Sequence, residues 1–388
     1  MPDSIQGRFR LRLLAALGVC LALAYVAGLS VYVLAAEFGG WGRGQPPESQ
    51  VLWEAWRRIE TDFYGPIPSV ETRTYGAIRR SLELLDPYTV FLEPESRELE
   101  EDQLRGSFGG IGVTLWQDSA GHIAVDPFPA SPAERAGVRE GDILVAINGE
   151  KIGAGANLSD VEAKLHGKAG TPVTLTLSRP TTQLDLTITR ETIETPSVVW
   201  RLETRDIGYI ALSQFTERTA SEVARAVEEL QRRQARELIL DLRGNAGGLV
   251  DSAVGVASLF LADGEVVLHE RSRGGEKTLR AGGEQDVGLP LVLLVDEKTA
   301  SAAEMLAGAL QDHDRAVLMG SATFGKGSVQ EIYALSNGAS VHVTTAVWLT
   351  PSRREIAGTG LAPDIPIRKT DEPGDEQLQR AVSYLALE

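Results

Sequence analysis

Two periodicities alternate along the C-terminal half of the chain. Short apolar runs at strand spacing, Ile207 to Leu212, Leu238 to Asp241 and Leu291 to Val295, are separated by stretches whose apolar residues recur every three or four positions. Ala220, Val223, Ala224, Val227 and Leu230 fall on one helical face, and a further helical pattern starts near Ala302. Such alternation predicts an α/β core, because each helix must bury its stripe against a sheet. Val341 to Leu349 reads as a later strand and Leu378 to Leu387 as a short final helix. Upstream, Leu52, Trp56, Ile59 and Phe63, and then Tyr75, Ile78, Leu82 and Leu85, keep helical spacing. Their apolar faces need a cover, supplied either by the chain's own core or by a second copy.

The N-terminus has a different pattern. Residues 13–36 carry no charge, and as a helix they would extend about 36 Å, enough to cross a hydrocarbon core. Arg8, Arg10 and Arg12 precede this run, so the basic tail (1–12) is expected in the cytoplasm and everything after about residue 37 outside. The alternative is a cleaved signal peptide with Val33-Leu34-Ala35 as its site. Gly39 to Pro47 is a glycine- and proline-rich linker (37–47). The formal net charge is −16, and a body this acidic repels nucleic acid. A single cysteine, Cys20, leaves no intrachain disulfide and no cysteine-based metal cage. No metal or cofactor is implied.

Candidate chemistry lies at Lys298-Thr299-Ala300-Ser301-Ala302-Ala303-Glu304, which joins the Leu291 to Val295 strand to a helix. A serine there is either a helix N-cap or a nucleophile held beside exposed helix amides. The five histidines, His122, His166, His269, His313 and His342, show no triad context, so a base must come from elsewhere. Lys326, in Thr323-Phe324-Gly325-Lys326-Gly327, can serve if neutral. Bringing its pKa from about 10.4 to near 7 by desolvation costs roughly 4–5 kcal/mol. Gln330 is placed to accept a Lys326 N–H and hold the amine towards Ser301. Gly320 to Gly327 also approaches a phosphate-binding P-loop, but that motif requires Ser or Thr directly after the lysine and then a helix. Here Gly327 and a strand-like segment follow.

The blocks Thr299-Ala300-Ser301-Ala302-Ala303-Glu304, Ala307-Gly308-Ala309-Leu310-Gln311-Asp312 and Gly325-Lys326-Gly327-Ser328-Val329-Gln330 resemble those of the carboxyl-terminal processing (tail-specific) proteases. The resemblance implies a ClpP/crotonase-like α/β protease core (192–388) with an inserted PDZ domain (106–191) and an N-terminal helical region (48–105). It implies Ser301 as nucleophile, Lys326 as general base and Gln330 as its orienting group. Asp241-Leu242-Arg243-Gly244-Asn245-Ala246-Gly247-Gly248 is similar to a further family motif. From it the oxyanion hole is assigned to the N–H of Gly247 or Gly248 with that of Ala302.

Phe108-Gly109-Gly110-Ile111-Gly112-Val113 is dense enough in glycine to form a nest for a terminal carboxylate. Ser131 to Gly137 and Gly141 to Gly149 follow at PDZ-like intervals, with Leu158, Val161 and Leu165 as the groove helix. Gly109, Gly110, Ile111 and Gly112 are therefore expected to bind substrate. Relatives commonly have arginine where His166 precedes Gly167-Lys168-Ala169-Gly170, and glycine where Arg353 stands. The function implied is a serine endopeptidase that holds apolar C-terminal tails in its PDZ groove and cleaves them. It would sit at a bacterial inner membrane with its catalytic part in the periplasm, or be secreted there. Partners implied are protein substrates, an activating lipoprotein or adaptor, and a second copy or larger homo-oligomer. The alternative is an inactive, membrane-anchored PDZ adaptor.

Overall fold

The computed structural model describes residues 47–283, 287–368 and 374–387. The basic tail, the apolar run over 13–36 and the linker up to residue 46 lie outside the described residues. Among the described residues, no helix is long and apolar enough to cross a membrane. The chain divides after Thr74 into two units. In the first, the helix Pro47–Asp62 leaves Leu52, Ile59 and Phe63 exposed, while Arg73 pairs with Glu60 at 2.8 Å and lies over the Trp56 ring.

In the second unit, the part of the helix Val70–Leu82 from Tyr75 onward packs Tyr75 on Phe91, with Ile78, Leu82 and Ala339 around it. Leu85, expected on that face, lies past the helix end and is exposed. Asp86 sets the turn by accepting the N–H groups of Tyr88 and Thr89, both at 2.8 Å. Such a side chain satisfies backbone donors that a continuing helix would otherwise have engaged.

The C-terminal half is built on a six-stranded sheet in the order Val198–Leu202, Ile207–Leu212, Glu237–Asp241, Leu291–Val295, Val317–Gly320, Ile365–Pro366. The first pair is antiparallel and the rest are parallel. Because side chains alternate across a strand, Leu238, Leu240, Leu293 and Val295 bury on one face against the helices Thr219–Arg232, Val250–Ala257 and Ala302–Asp312. Ile239, Val292 and Leu294 bury on the other beneath the helix Glu376–Leu385. Strands buried on both faces read as continuous apolar runs, which is the pattern of Leu291 to Val295.

A five-stranded sheet completes this half. Its long central strand Ser340–Leu349 pairs with Val90–Leu92, with Val266–Ser272 and with Ser328–Ala334. The polar, glycine-containing stretch from Arg271 forms the hairpin of Val266–Ser272 with Gly275–Arg280. Between the two halves of sequence, strands over 113–189 make a separate sheet with its own core around Leu175, Leu177 and Val125, and the helix Leu158–Leu165 packs beside Val113–Gln117. A two-stranded ribbon, Ser107–Gly110 with Glu191–Glu194, leads from it to the six-stranded sheet. Arg353 occupies the turn where a glycine was expected, with φ 64°, and its guanidinium pairs with Glu276 at 2.7 Å.

Candidate active site

Ser301 sits at the junction of the Leu291–Val295 strand and the buried helix Ala302–Asp312, with φ 55° and ψ −121°. A side-chain-bearing residue held there stores about 1–3 kcal/mol of strain, which the surroundings must over-determine. They do so through two crossing loops. Asp296 accepts the N–H groups of Gly244, Lys298 and Thr299, Thr299 donates its hydroxyl to the Leu242 carbonyl, and Ala300 N–H donates to the Asn245 carbonyl. The serine turn is thereby fastened to the loop of the Asp-Leu-Arg motif.

Glu304, wholly buried, fastens it to the lysine loop. Its carboxylate accepts the Ser301 N–H at 2.9 Å, the Thr323 hydroxyl, the Gly325 N–H at 2.7 Å and the Lys326 N–H at 2.9 Å. Trp348 adds a ring N–H to the Lys326 carbonyl at 2.9 Å. Lys326 is followed by the strand Ser328–Ala334 rather than a helix, which removes the P-loop alternative.

Ser301, Lys326, Gln330, Gly247 and Gly248 line one cavity of about 510 Å³, with Glu100 and His342 in its wall. Burial pushes the Lys326 amine below the ordinary lysine value, and the carboxylates of Glu100 and Glu304 partly oppose this. The amine lies 5.3 Å from the centroid of the Tyr88 ring. Ser301 and Lys326 share no hydrogen bond, and the expected bond from Lys326 to Gln330 is absent. Instead the Gln330 amide donates to Ser328 Oγ at 2.8 Å and Thr344 Oγ1 at 3.4 Å, because both hydroxyls lie within its reach on the same sheet.

The two glycines at the cavity floor differ. Gly247, φ 105°, presses on the serine turn: a Cβ there would lie 2.8 Å from Ser301 Cβ. Its N–H is committed to Asn245 Oδ1 at 2.9 Å. Gly248, φ 136°, leaves no room for a side chain against the Phe215 carbonyl, at 2.1 Å. Among the described residues the N–H groups of Gly248 and Ala302 donate to no protein acceptor.

Gly109, Gly110, Ile111 and Gly112 lie away from this cavity, on the ribbon and at the edge of the sheet over 113–189. Gly109 accepts the Gly167 N–H at 2.9 Å and has no room for a Cβ, and Gly110 faces the Phe108 ring. The carbonyls of Ile111 and Gly112 are engaged by Ala133 and Phe128, whereas among the described residues their N–H groups have no acceptor. His166 closes the groove helix with its ring 4.3 Å from that of Phe108, and burial pushes its imidazole below the ordinary value.

The profile of peptidase family S41 matches residues 206–367, and that of the PDZ domain matches 125–179. A carboxy-terminal-processing protease of Bartonella bacilliformis is 37% identical over 325 residues, covering 81% of this chain and 74% of that protein. The chain belongs to peptidase family S41. Carboxy-terminal processing protease CtpA of Bacillus subtilis is 34% identical over 317 residues, covering 81% and 68%. A solved S41 protease from Bacteroides fragilis shares the fold, with TM-score 0.50 at 16% identity over 83% of this chain and 92% of that one.

Four residues around Ser301 and Lys326 in this S41 peptidase were given no role by sequence reasoning. Glu304 stood inside a motif, and its position three residues after a candidate N-cap is a signal for a carboxylate that reaches back to the cap. Tyr88 stood in Leu85-Asp86-Pro87-Tyr88-Thr89-Val90-Phe91-Leu92, which resembles the family's helix-ending signature, but nothing local ties it or Glu100 to Lys326, which both reach from more than two hundred residues upstream. His342 meets Glu100 at 3.0 Å without hydrogen-bond geometry, in a pairing only the fold creates.

Proposed function

We propose that this S41 peptidase shortens C-terminal tails of proteins with a Ser301–Lys326 dyad. The reading is supported above all by one arrangement: a strained serine at a helix N-terminus and an amine depressed by burial share a cavity, and one carboxylate holds both their backbones. Neutral Lys326 takes the Ser301 hydroxyl proton as the oxygen attacks the peptide carbonyl. The oxyanion forms against the N–H groups of Gly248 and Ala302, since Gly247 N–H already has an acceptor. Lys326 then passes its proton to the leaving amine as the C–N bond breaks. Water, deprotonated by Lys326, releases the acyl chain and restores the serine. Catalysis requires the amine to turn towards Ser301, with Gln330 exchanging Ser328 for Lys326. Such bonds often tighten only when substrate is bound.

The substrate would be an apolar C-terminal tail, its carboxylate on the N–H groups of Ile111 and Gly112 and its chain added beside Val113–Gln117. Delivery across the membrane by the apolar run, pairing of copies through the exposed face of Pro47–Asp62, and engagement of a lipoprotein or adaptor belong to the same proposal. The test incubates wild-type, Ser301→Ala and Lys326→Ala proteins with a folded carrier bearing an apolar tail and reads its C-terminus by mass spectrometry. Wild type should remove the tail and both variants should leave it. Cleavage surviving in either variant removes the dyad, and wild-type binding without cleavage favours the adaptor.

A further inference from the structure

Lys326 carries a neighbour that the mechanism above does not use. Its Nζ lies 5.3 Å from the centroid of the Tyr88 ring, within the roughly 6 Å at which a ring face attracts a cation. We propose that Tyr88 is a positioning residue for Lys326: its ring holds the amine as a cation and so sets the pH at which the base becomes available. This rests on reading Lys326 as the base.

The ring is held by its turn. Asp86 accepts the Tyr88 and Thr89 N–H groups, the Thr89 hydroxyl at 2.7 Å and the Thr344 hydroxyl at 3.2 Å, and Thr344 N–H donates to Thr89 Oγ1. Thr344 lies on the strand paired with Ser328–Ala334 and also receives the Gln330 amide. The turn bearing Tyr88 and the residue expected to orient Lys326 are therefore fastened at one hydroxyl. A displacement of either is felt by the other.

The other ionisable groups facing this amine are Glu100 from the helix Pro94–Arg105, Glu304 from the serine helix and His342, which is paired with Glu100. Both carboxylates favour the ammonium and burial disfavours it. The ring adds to the first side only while the proton is present, because its negative face attracts an ammonium and gains little from a neutral amine. Removing the ring while keeping its bulk should ease deprotonation.

The test compares the pH dependence of kcat/KM on a tail-bearing peptide for wild type, Tyr88→Phe and Tyr88→Leu. In parallel, the Lys326 signal of lysine-labelled protein is titrated by NMR, assigned by its loss in Lys326→Arg. Tyr88→Leu should move the acid limb and the Lys326 titration down by about half to one pH unit. Tyr88→Phe keeps the π face and should leave both at the wild-type positions. If Tyr88→Leu does not fold, phenylalanines bearing one to three ring fluorines at position 88 replace it, and both midpoints should fall as fluorine drains the ring. Midpoints indifferent to the ring, or a Tyr88→Phe protein that behaves as Tyr88→Leu does, overturn the proposal. Should Lys326→Ala still cleave, the dyad fails. A Lys326 titration that moves with the ring would then still uphold the contact, and one that does not would overturn it.

Discussion

At the scale of single residues, Glu304 bears more of the site's geometry than Ser301 or Lys326 does. A buried carboxylate that accepts from Ser301, Thr323, Gly325 and Lys326 leaves four donors unpaired when it is removed. Each unsatisfied buried donor costs about 1–3 kcal/mol, so Glu304→Ala should lose at least about 3 kcal/mol of stability. Urea unfolding measures this, and peptide cleavage by the protein that remains folded should fall with it. A variant with wild-type stability and rate would show that the four contacts are not needed to hold the two loops together.

At the scale of elements, the strand carrying the glycine loop is tied to the final helix by charge as well as by apolar packing. Arg243 bonds both Asp241 and Asp375, the latter at 2.7 Å from each guanidinium end, and Tyr209 donates to Asp241 at 2.7 Å. Burial and Asp241 push the Tyr209 phenol up to about 12, so it remains a donor. Arg243→Ala strands Asp241 in a mostly buried position and should cost about 3 kcal/mol. The Arg243 guanidinium holds the Asp375 carboxyl below its usual range. A depressed carboxyl contributes stability above its unfolded value, near 3.8, and loses it as pH falls through the lower folded value. The stability gap between wild type and Arg243→Ala should therefore be full at neutral pH and narrow in acid, as denaturant midpoints across pH will show.

At the scale of the whole molecule, the cavity draws its walls from segments remote in sequence, and their combined exclusion of water is what lowers the Lys326 amine. With Lys326 as the proposed base the neutral form is the active one, so cleavage should rise with pH through this depressed value and reach its plateau below the range of an ordinary lysine, near 10.5. The pH profile of kcat/KM checks this. An acid limb at the ordinary lysine position would mean that the amine is not desolvated in the working enzyme.

The strands and helices of the protease half, the PDZ region and the motifs bearing Ser301, Lys326 and Gly247-Gly248 were legible in the sequence. Their information is local: period-two and period-3.6 burial, glycines at turns, and motif spacing. The helix-ending signature at Leu85 to Leu92 marked where the second amphipathic helix stops, but not that Leu85 already lies outside it, where a single side chain, Asp86, redirects the backbone. What only the tertiary structure decided is which groups surround Ser301, Lys326 and the paired glycines. Gln330 rests on Ser328 rather than Lys326, Gly247 N–H is taken by Asn245, and Glu100 and His342 arrive at the cavity, and Tyr88 at the Lys326 amine, from other elements. Hydrogen-bond partners and desolvation depend on distances through space. Chain order sets those distances only after the sheets have paired.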